Sequence, residues 1–239
     1  MRQVPASAGA PFGMVGNGRV ARHFRHYFTL LGLPVSGWSR GGRGPSPPEA
    51  LASCRTILVL IPDAEIIPFI DAWPALRKKR LVHCSGSLIT AAAETAHPLM
   101  TFGPTLYDLE TYRGITFILD GGRPPLSQLL PGLPNPSFTI PAGDRPYYHA
   151  LCVTAGNFST MLWVKLFDEL QQRFGIPPSA AYPYLGRMAA NVMADGADAL
   201  TGPLVRGDTK TMTANLKALE GDPFHAVYAA FAKVYAQRS

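Results

Sequence analysis

The feature that most constrains this chain is a glycine-rich stretch, G-M-V-G-N-G-R-V-A, over residues 13–21. Apolar residues precede it and an apolar-patterned segment follows, which predicts a buried strand, a tight turn and a helix. Gly16 would allow the sharp turn, Gly18 would let a pyrophosphate approach the backbone, and Ala21 would let helix and strand pack closely. Such a turn also occurs without a ligand. The candidate binding residues here are Gly16, Asn17, Gly18, Arg19 and Val20.

The next segments complete a strand-helix-strand unit. Residues 19–31 carry apolar side chains at spacings of three and four and stop at Gly32, and residues 34–38 are typical of a second strand. In dinucleotide-binding folds an acid at the end of this strand binds the ribose 2′-hydroxyl, whereas an arginine accommodates a 2′-phosphate. Ser39, Arg40 and Arg43 stand here without an acid, which favours NADP over NAD unless the arginines are only solvated loop charges.

Composition limits the possible partners. The chain has 239 residues, 47% of them hydrophobic, enough for one large domain or two modest ones. Its formal charge of +6 comes mostly from arginines spread along the chain. The basic run 77–80 has no interleaved aromatic residues, so it is typical of a solvated connection. We therefore expect no nucleic-acid partner and take the basic charge as suited to a polyanionic cofactor.

The cysteines and the first residues bear on the compartment. Cys54, Cys84 and Cys152 are odd in number, widely spaced and form no C-x-x-C, which indicates reduced thiols in the cytoplasm. Residues 1–11 lack the apolar core of a signal peptide and are interpreted as a flexible leader. We expect no run long enough to span a membrane.

A third predicted strand places candidate residues beside the glycine turn. Residues 56–61 form a continuous apolar run typical of a strand buried in a parallel sheet, with Asp63 expected to cap a helix over 64–73. Because ligands bind at the carboxyl ends of such strands, Ile61 and Pro62 should line the cofactor site.

A strand over 80–84 ends in Ser85-Gly86-Ser87, and an alanine-rich helix is predicted over 88–96. Ser87 either caps this helix, or Ser85 or Ser87 hydrogen-bonds the substrate or the nicotinamide amide. His97 would follow the helix at the edge of the sheet, a good place to protonate a developing alkoxide or amine. A structural role for His97 is the alternative.

The strand pattern ends after residues 115–119 and 138–140, and the rest of the chain is predicted helical, over 146–174, 179–200, 209–219 and 223–237. This order predicts the α/β class, a Rossmann-like, mostly parallel sheet followed by an all-helical C-terminal domain. We place the dinucleotide-binding domain at 12–143 and a helical domain for substrate or dimerisation at 144–239.

A family resemblance rests on several motifs spread from about Phe12 to the end of the chain, namely G-N-G-R-V (16–20), H-C-S-G-S (83–87), A-H-P-L-M (96–100), Y-H-A (148–150), G-N-F (156–158) and T-G-P-L-V-R-G-D (201–208). In these the chain resembles the bacterial short-subunit dehydrogenase-like oxidoreductases, in which a Rossmann-like domain precedes a helical domain of unknown function. It is more distantly similar to pyrroline-5-carboxylate reductase, 6-phosphogluconate and 3-hydroxyacid dehydrogenases, and prephenate dehydrogenase. The resemblance implies the fold more sharply than the reaction.

The resemblance also implies residue roles. Ser87 and His97 resemble the serine and histidine that face the substrate hydroxyl in prephenate dehydrogenase. Asn157 matches the asparagine that follows a catalytic lysine by four positions in 3-hydroxyacid-type enzymes, but Val153 occupies the lysine position. His149, also a candidate substrate-binding residue, or Lys165 would then be the proton donor, and all three polar residues could share a broad face of a regular helix. Solvation at the helix surface is the alternative for Lys165.

The T-G-P-L-V-R-G-D element has its own two interpretations. Helix breaking by Gly202 and Pro203 and capping by Asp208 explain much of it. Arg206 remains, and it could bind a substrate carboxylate or phosphate in a two-point fashion. Helical second domains of the relatives commonly pair across a two-fold axis, so the resemblance implies a homodimer.

These patterns together predict an NADP-dependent oxidoreductase that moves a hydride between nicotinamide and a small carbonyl, imine or hydroxy acid. The broken lysine pattern keeps open a non-catalytic NADP-binding sensor or assembly protein. A third possibility is a Rossmann enzyme that uses its nucleotide for another purpose.

Overall fold

A computed structural model of the protein describes residues 10–41 and 44–237. The predicted leader lies outside these residues except for its last two positions, and so does Arg43. The chain divides into two compact units, Met1–Ser159 and Thr160–Ser239. The predicted domain boundary at residue 143 stays a prediction.

The first unit is built on a five-stranded sheet. Its strands are β1 (Phe12–Val15), β2 (Val35–Trp38), β3 (Thr56–Val59), β4 (Arg80–His83) and β5 (Glu94–Thr95). They lie in the order β2-β1-β3-β4-β5 and every neighbouring pair is parallel. This confirms the Rossmann-like fold class, with β1 and β3 buried along their whole length.

Helices cover both faces of this sheet, because alternate residues of a strand point to opposite faces. The first part of the unit contains α1 (Arg19–Leu30), α2 (Pro47–Ala50) and α3 (Asp63–Ala72). Phe24 and Phe28 of α1 pack in a cluster with Leu58. Ile66 and Ile70 of α3 pack in a second cluster that contains the flanking strand residues Ile57 and Val59.

A second sheet of three strands follows in the chain. It consists of β6 (His97–Pro98), β7 (Phe117–Asp120) and β8 (Ser137–Ile140), with β6 antiparallel and β8 parallel to β7. Two short helices, α4 (Leu109–Arg113) and α5 (Leu126–Leu129), connect its strands.

The predicted helix over residues 88–96 is wrong. The segment consists of bends that lead into β5, which pairs with β4. Thr90 Oγ1 accepts a hydrogen bond from the Ala92 amide, and Thr95 Oγ1 donates one to Asp120. These side-chain bonds and the strand pairing outweigh the helix propensity of the alanines. His97 accordingly follows a strand rather than a helix.

The predicted capping role of Asp63 is also wrong. Helix α3 begins at Asp63 itself, its N-cap is Pro62, and no side-chain capping bond is formed there. The Asp63 carboxylate instead accepts a hydrogen bond from Ser85 Oγ, 22 positions away. The Asp63 carboxylate therefore binds Ser85 instead of capping the N-terminus of α3.

One long helix covers residues 142–174. Its main parts are α6 (Arg145–Val153), a π-helical segment (Thr154–Phe158) and α7 (Ser159–Phe174). The π-helical segment has a wider turn than an α-helix, so the shared face predicted for residues 149, 157 and 165 does not follow.

By length and composition alone this helix could cross a membrane, contrary to the expectation that no run is long enough. A single such helix is weak evidence for a membrane span, and the expectation of no membrane association stays a prediction.

The described residues of the second unit form helices joined by turns and short loops. Beyond α7 it contains α8 (Tyr182–Asp195), α9 (Thr209–Ala218) and α10 (Phe224–Ala236). Asp208 caps α9 by accepting a hydrogen bond from the Thr211 amide, as predicted. No side chain described in α7–α10 is buried.

Candidate functional site

The glycine turn joins β1 to α1, and its two central glycines meet different surroundings. Gly16 has φ +109°, and a Cβ atom there would lie 2.3 Å from the backbone oxygen of Leu60. Gly18 is the N-cap of α1, and a Cβ atom there would meet nothing within 4 Å. Gly16 is therefore required by the backbone, whereas the space beside Gly18 is open to a ligand at the helix N-terminus.

Arg25 braces this turn from the next turns of α1. Its Nη2 donates to the Gly16 carbonyl oxygen at 2.6 Å, and its Nη1 donates to Asn17 Oδ1 at 2.8 Å. A Cβ atom at Gly37 would lie only 3.2 Å from the same guanidinium group. Arg25 was not among the residues predicted for the site, and its one signal in the sequence is a basic side chain on the helix that follows a glycine turn.

A cleft of about 790 Å³ opens beside the turn. Leu60, Glu65 and nine of the predicted cofactor-binding residues line this cleft. The nine are Gly16, Asn17, Gly18, Arg19, Val20, Ser39, Arg40, Ile61 and Pro62. Ser85, the tenth, does not line this cleft and is buried at the end of β4. Residues from β1, β2 and β3 thus converge at the carboxyl ends of their strands, as a parallel sheet requires.

Two residues of the cleft lining form an ion pair. Arg40 Nη2 lies 2.8 Å from Glu65 Oε2, and the two side chains are 79% and 47% exposed. Such an exposed pair is weak and easily rearranged. The open space at Gly18 and the cation at Arg40 fit a ligand with a pyrophosphate and a further phosphate group.

A second group of polar side chains lies at the ends of β4 and β5. Ser85 Oγ accepts hydrogen bonds from the amides of Ser87 and Leu88, at 3.3 Å and 3.0 Å, while it donates to Asp63. This ties the Ser85-Gly86-Ser87 loop to the first residue of α3. Because no helix starts after Ser87, its predicted capping role has no helix to act on.

Behind this loop a chain of buried hydrogen bonds runs through five residues. The Ser85 amide donates to His83 Nδ1 at 3.2 Å, so the other ring nitrogen, Nε2, carries the proton and donates to Thr95 Oγ1 at 3.2 Å. Thr95 Oγ1 donates to Asp120 Oδ2 at 2.9 Å, and Asp120 Oδ1 accepts from Arg145 Nε. The chain joins β4, β5, β7 and the first turn of α6.

Burial keeps His83 neutral. It lowers the pKa of His83 to about 4, and Arg145 lowers that pKa further, against the opposing effect of Asp120 and Asp63. Arg145 has no exposed surface, and its Nη1 has no hydrogen-bond partner. The site therefore contains a buried cation beside neutral histidine.

Helix α6 brings two more side chains to the same place. Tyr148 Oη lies 2.8 Å from His97 Nδ1, and the rings of His97 and His149 are 5.9 Å apart, nearly perpendicular. His149 Nδ1 is buried without a hydrogen-bond partner, and a Cβ atom at Gly86 would lie 2.3 Å from it. His97, His149 and the β4 loop are thus brought together. Tyr148, which joins them, was not among the predicted site residues.

Burial also controls the protonation of His97 and Tyr148. It is the main cause that lowers the pKa of His97 to about 4, with His149 and Arg145 adding to the effect. Burial raises the pKa of Tyr148, and its contact with Cys152 raises it further. At neutral pH the arrangement offers a neutral imidazole and a protonated phenol, which together can give and replace a proton.

Three further predicted residues belong to other segments of the chain. Asn157 is exposed in the π-helical segment and Arg206 is exposed in the turn before α9. Lys165 belongs to the second unit, where its Nζ donates to Asp222 at 2.6 Å and to Glu169 at 2.7 Å. Both hydrogen bonds raise the pKa of Lys165, so proton donation by this residue, still a prediction, would first require leaving two carboxylates.

Solved structures of several oxidoreductases resemble this chain over nearly its whole length. One is a protein from Bacteroides fragilis that carries the provisional description NADP oxidoreductase. Its TM-score is 0.75 at 19% sequence identity, and the alignment covers 95% of this chain and 98% of the Bacteroides chain. For a Streptomyces aurantiacus imine reductase the TM-score is 0.64 at 16% identity, with 95% and 93% covered. For a Plasmodium falciparum pyrroline carboxylate reductase with NADP bound it is 0.59 at 12% identity, with 96% and 98% covered.

At such identities the likeness establishes the fold. No curated protein matches the chain by sequence. None of these similarities confirms the expected resemblance to the short-subunit dehydrogenase-like oxidoreductases. One family of domains, described as a domain of unknown function (DUF2520), matches residues 115–235. Since this match covers half of the chain, the protein belongs to the DUF2520 family.

Proposed function

We propose that the protein is an NADP-dependent oxidoreductase that transfers a hydride between nicotinamide and a small carbonyl, imine or hydroxy acid. The observation that carries the proposal is the cleft, which is lined by nine of the residues that the sequence predicts to bind the cofactor. The printed descriptions of the structural neighbours, an NADP oxidoreductase, an imine reductase and a pyrroline carboxylate reductase with NADP bound, support the same class of reaction.

Each part of the cleft would hold a different part of the cofactor. The free amides at the start of α1 and the open space at Gly18 suit the pyrophosphate. Arg40 at the end of β2 suits the 2′-phosphate. When bound, the reduced cofactor supplies the hydride. The chain supplies its orientation and, from the loop at Gly86 and the side chains of His97 and His149, a place for the reacting group.

The first experiment is calorimetric titration of the protein with NADPH and with NADH, repeated on Arg40→Ala. We expect tight NADPH binding that falls toward the NADH value in the variant, because Arg40 would contact only the 2′-phosphate, which NADH lacks. Arg77→Ala is the matched control, since Arg77 also forms an exposed ion pair, with Asp71, but does not line the cleft. Absence of binding by either nucleotide would end the proposal.

A non-catalytic NADP-binding sensor or assembly protein is the second candidate. Val153 favours it, because this residue stands where 3-hydroxyacid-type enzymes would have a lysine. NADPH that binds tightly but is consumed with none of a broad panel of oxo and imino acids would support this candidate. Consumption with any of them would exclude it.

We further propose that two copies of the chain associate through the second unit. Its four α-helices bury no described side chain, while Val164, Tyr184, Met193 and Phe231 are between 49% and 81% exposed. Helices that lack buried apolar side chains of their own need another surface to complete a core. An identical copy supplies the same apolar helices and pairs them about a two-fold axis.

A further inference from the structure

The guanidinium group of Arg25 joins the glycine turn to β2, although Arg25 is not among the described residues that line the cleft. Its Nη2 donates to the Gly16 carbonyl oxygen at 2.6 Å, and its Nη1 donates to Asn17 Oδ1 at 2.8 Å. The half-buried side chain also passes Gly37 of β2, where a Cβ atom would lie 3.2 Å from Nη2. Arg25 is therefore held between the turn and a strand that ends at the cleft.

The two hydrogen bonds fix the orientation of both polar groups of Asn17. A guanidinium group only donates hydrogen bonds, so the Asn17 side-chain oxygen faces Arg25 and the NH2 group points away from it. The Gly16 carbonyl and the Asn17 backbone N–H belong to one trans peptide unit, in which they point in opposite directions. Because Arg25 binds the Gly16 oxygen, the Asn17 backbone N–H also points away from Arg25.

These N–H groups of Asn17 are available to a ligand. Asn17 is exposed and lines the cleft, and no described residue accepts a hydrogen bond from its NH2 group or from its backbone N–H. The next residue, Gly18, begins the open space at the N-terminus of α1, where an anion is favoured. A phosphate group bound there would find donors that are already oriented.

From this geometry we propose that Arg25 is a positioning residue for the dinucleotide, which aims the N–H groups of Asn17 at the pyrophosphate, and that Gly37 leaves the room its guanidinium group needs. The proposal rests on the cofactor binding proposed above and adds two residues to that site. Donors that are ordered before binding cost less entropy when the ligand arrives. The pyrophosphate is common to NADPH and NADH, so Arg25 serves both nucleotides, whereas Arg40 serves NADPH alone.

Calorimetric titration of Arg25 variants with NADPH and with NADH provides the first measurement. Arg25→Met should weaken the binding of both nucleotides about tenfold, the loss expected for one hydrogen bond to a charged group. Arg25→Lys keeps the charge but lacks the rigid fork that makes two bonds, so it should restore little of the affinity. Arg22→Met is the matched control, since it removes a positive charge from an exposed position of the same helix and should leave both affinities unchanged.

Gly37→Val disturbs the same contact from β2 and remains informative where Arg25→Met does not fold. The three atoms nearest to a Cβ at this position all belong to the Arg25 side chain, so valine would displace the guanidinium group. Valine suits a strand, and the charge of Arg25 is retained. Both nucleotide affinities should nevertheless fall, because the two hydrogen bonds to the turn are lost.

A double-mutant cycle separates positioning from a purely structural role. Because part of the effect of Arg25 passes through the Asn17 side chain, the tenfold loss in Arg25→Met should shrink to about threefold when Asn17→Ala is already present. If Arg25 only stabilised the turn, the loss would be the same in both backgrounds.

Several outcomes would overturn the proposal while leaving the proposed function intact. One is NADPH and NADH affinity in Arg25→Lys equal to that of the unaltered chain, which would show that only the charge matters. Others are a loss confined to NADPH, equal losses with and without Asn17→Ala, and unaltered affinities in Arg25→Met or Gly37→Val. Failure of the unaltered protein to bind either nucleotide would overturn the proposed function as well.

Discussion

Gly16 and Gly18 lie two residues apart in one turn, yet a methyl group would have different effects at each. At Gly16 it would collide with the backbone oxygen of Leu60, in a backbone conformation that other residues rarely adopt. At Gly18 it would meet no protein atom within 4 Å and would fill the space expected for the pyrophosphate.

The variants Gly16→Ala and Gly18→Ala should therefore separate stability from binding. We expect Gly16→Ala to lower the free energy of unfolding by about 2 kcal/mol or more. Gly18→Ala should change stability little but weaken NADPH binding strongly. Urea unfolding and calorimetry on both variants provide the measurement. Unaltered NADPH affinity in Gly18→Ala would contradict a pyrophosphate at this position.

Glu65 is the second residue whose role is visible only in the structure. Its carboxylate pairs with Arg40 at the end of the cleft and would repel a 2′-phosphate there. We expect Glu65→Gln to raise the affinity for NADPH about two- to fivefold, a range set by the weakness of exposed ion pairs, and to leave NADH unaffected. Asp71→Asn, which breaks the pair with Arg77, is the control. A loss of NADPH affinity in Glu65→Gln would show that this carboxylate helps to bind the cofactor.

At the scale of elements, the first turn of α6 is attached to the sheet by a buried ion pair. Arg145 binds Asp120 at the end of β7 and the Ile118 carbonyl oxygen, and this contact sets where Tyr148 and His149 lie. Removing one member of a buried pair leaves the other charge uncompensated.

Arg145→Met and Asp120→Asn should each lower the free energy of unfolding by about 3–5 kcal/mol. The double variant should recover part of the summed loss, because neither charge is then left alone. Urea unfolding of the four proteins in a double-mutant cycle measures the coupling. Strictly additive losses would show that the two groups do not stabilise each other.

Buried His83 and half-buried His97 make the stability of the fold dependent on pH. His83 and His97 have a pKa of about 4 in the folded chain, against about 6.5 for an unfolded histidine. Between these values the unfolded chain binds more protons, so stability should fall as pH is lowered from about 6.5 to 4. The decrease should be on the order of 3 kcal/mol for each histidine.

Urea unfolding at a series of pH values tests this directly. His83→Gln should remove about half of the decrease, since it removes one of the two groups. A stability curve that stays flat between pH 6.5 and 4 would mean that these histidines protonate as easily in the folded protein as in the unfolded one.

At the scale of the whole molecule, the two units differ in how they bury their side chains. The first unit has core clusters on both faces of its parallel sheet. The four α-helices of the second bury no described side chain. The exposed apolar helices are the basis of the proposed association of two copies.

Sedimentation velocity should show a dimer for the unaltered protein. Met193→Glu, at a residue that is 81% exposed, should dissociate it, because a charge would enter the apolar contact. Lys210→Gln, on exposed α9, lowers the net charge by the same one unit and should leave the dimer intact. A monomeric unaltered protein would contradict the proposed association.

The local pattern of the sequence determined the glycine turn, the order of most strands and helices, and the residues that line the cleft. These follow from spacings of a few residues, because strand and helix periodicity and turn chemistry act over that distance. Asp208 as the cap of α9 is of the same kind, since its partner is three positions away.

The side chains that meet at the ends of β4 to β7 depend on contacts between residues far apart in the sequence. Thr95 is drawn into a strand between His83 and Asp120, which ends the alanine-rich helix that propensity favoured. Asp63 is taken by Ser85, 22 positions away, and Tyr148 meets His97 across 51 positions. Contacts between such distant residues depend on how the sheets and helices pack, and no periodicity in the sequence encodes them.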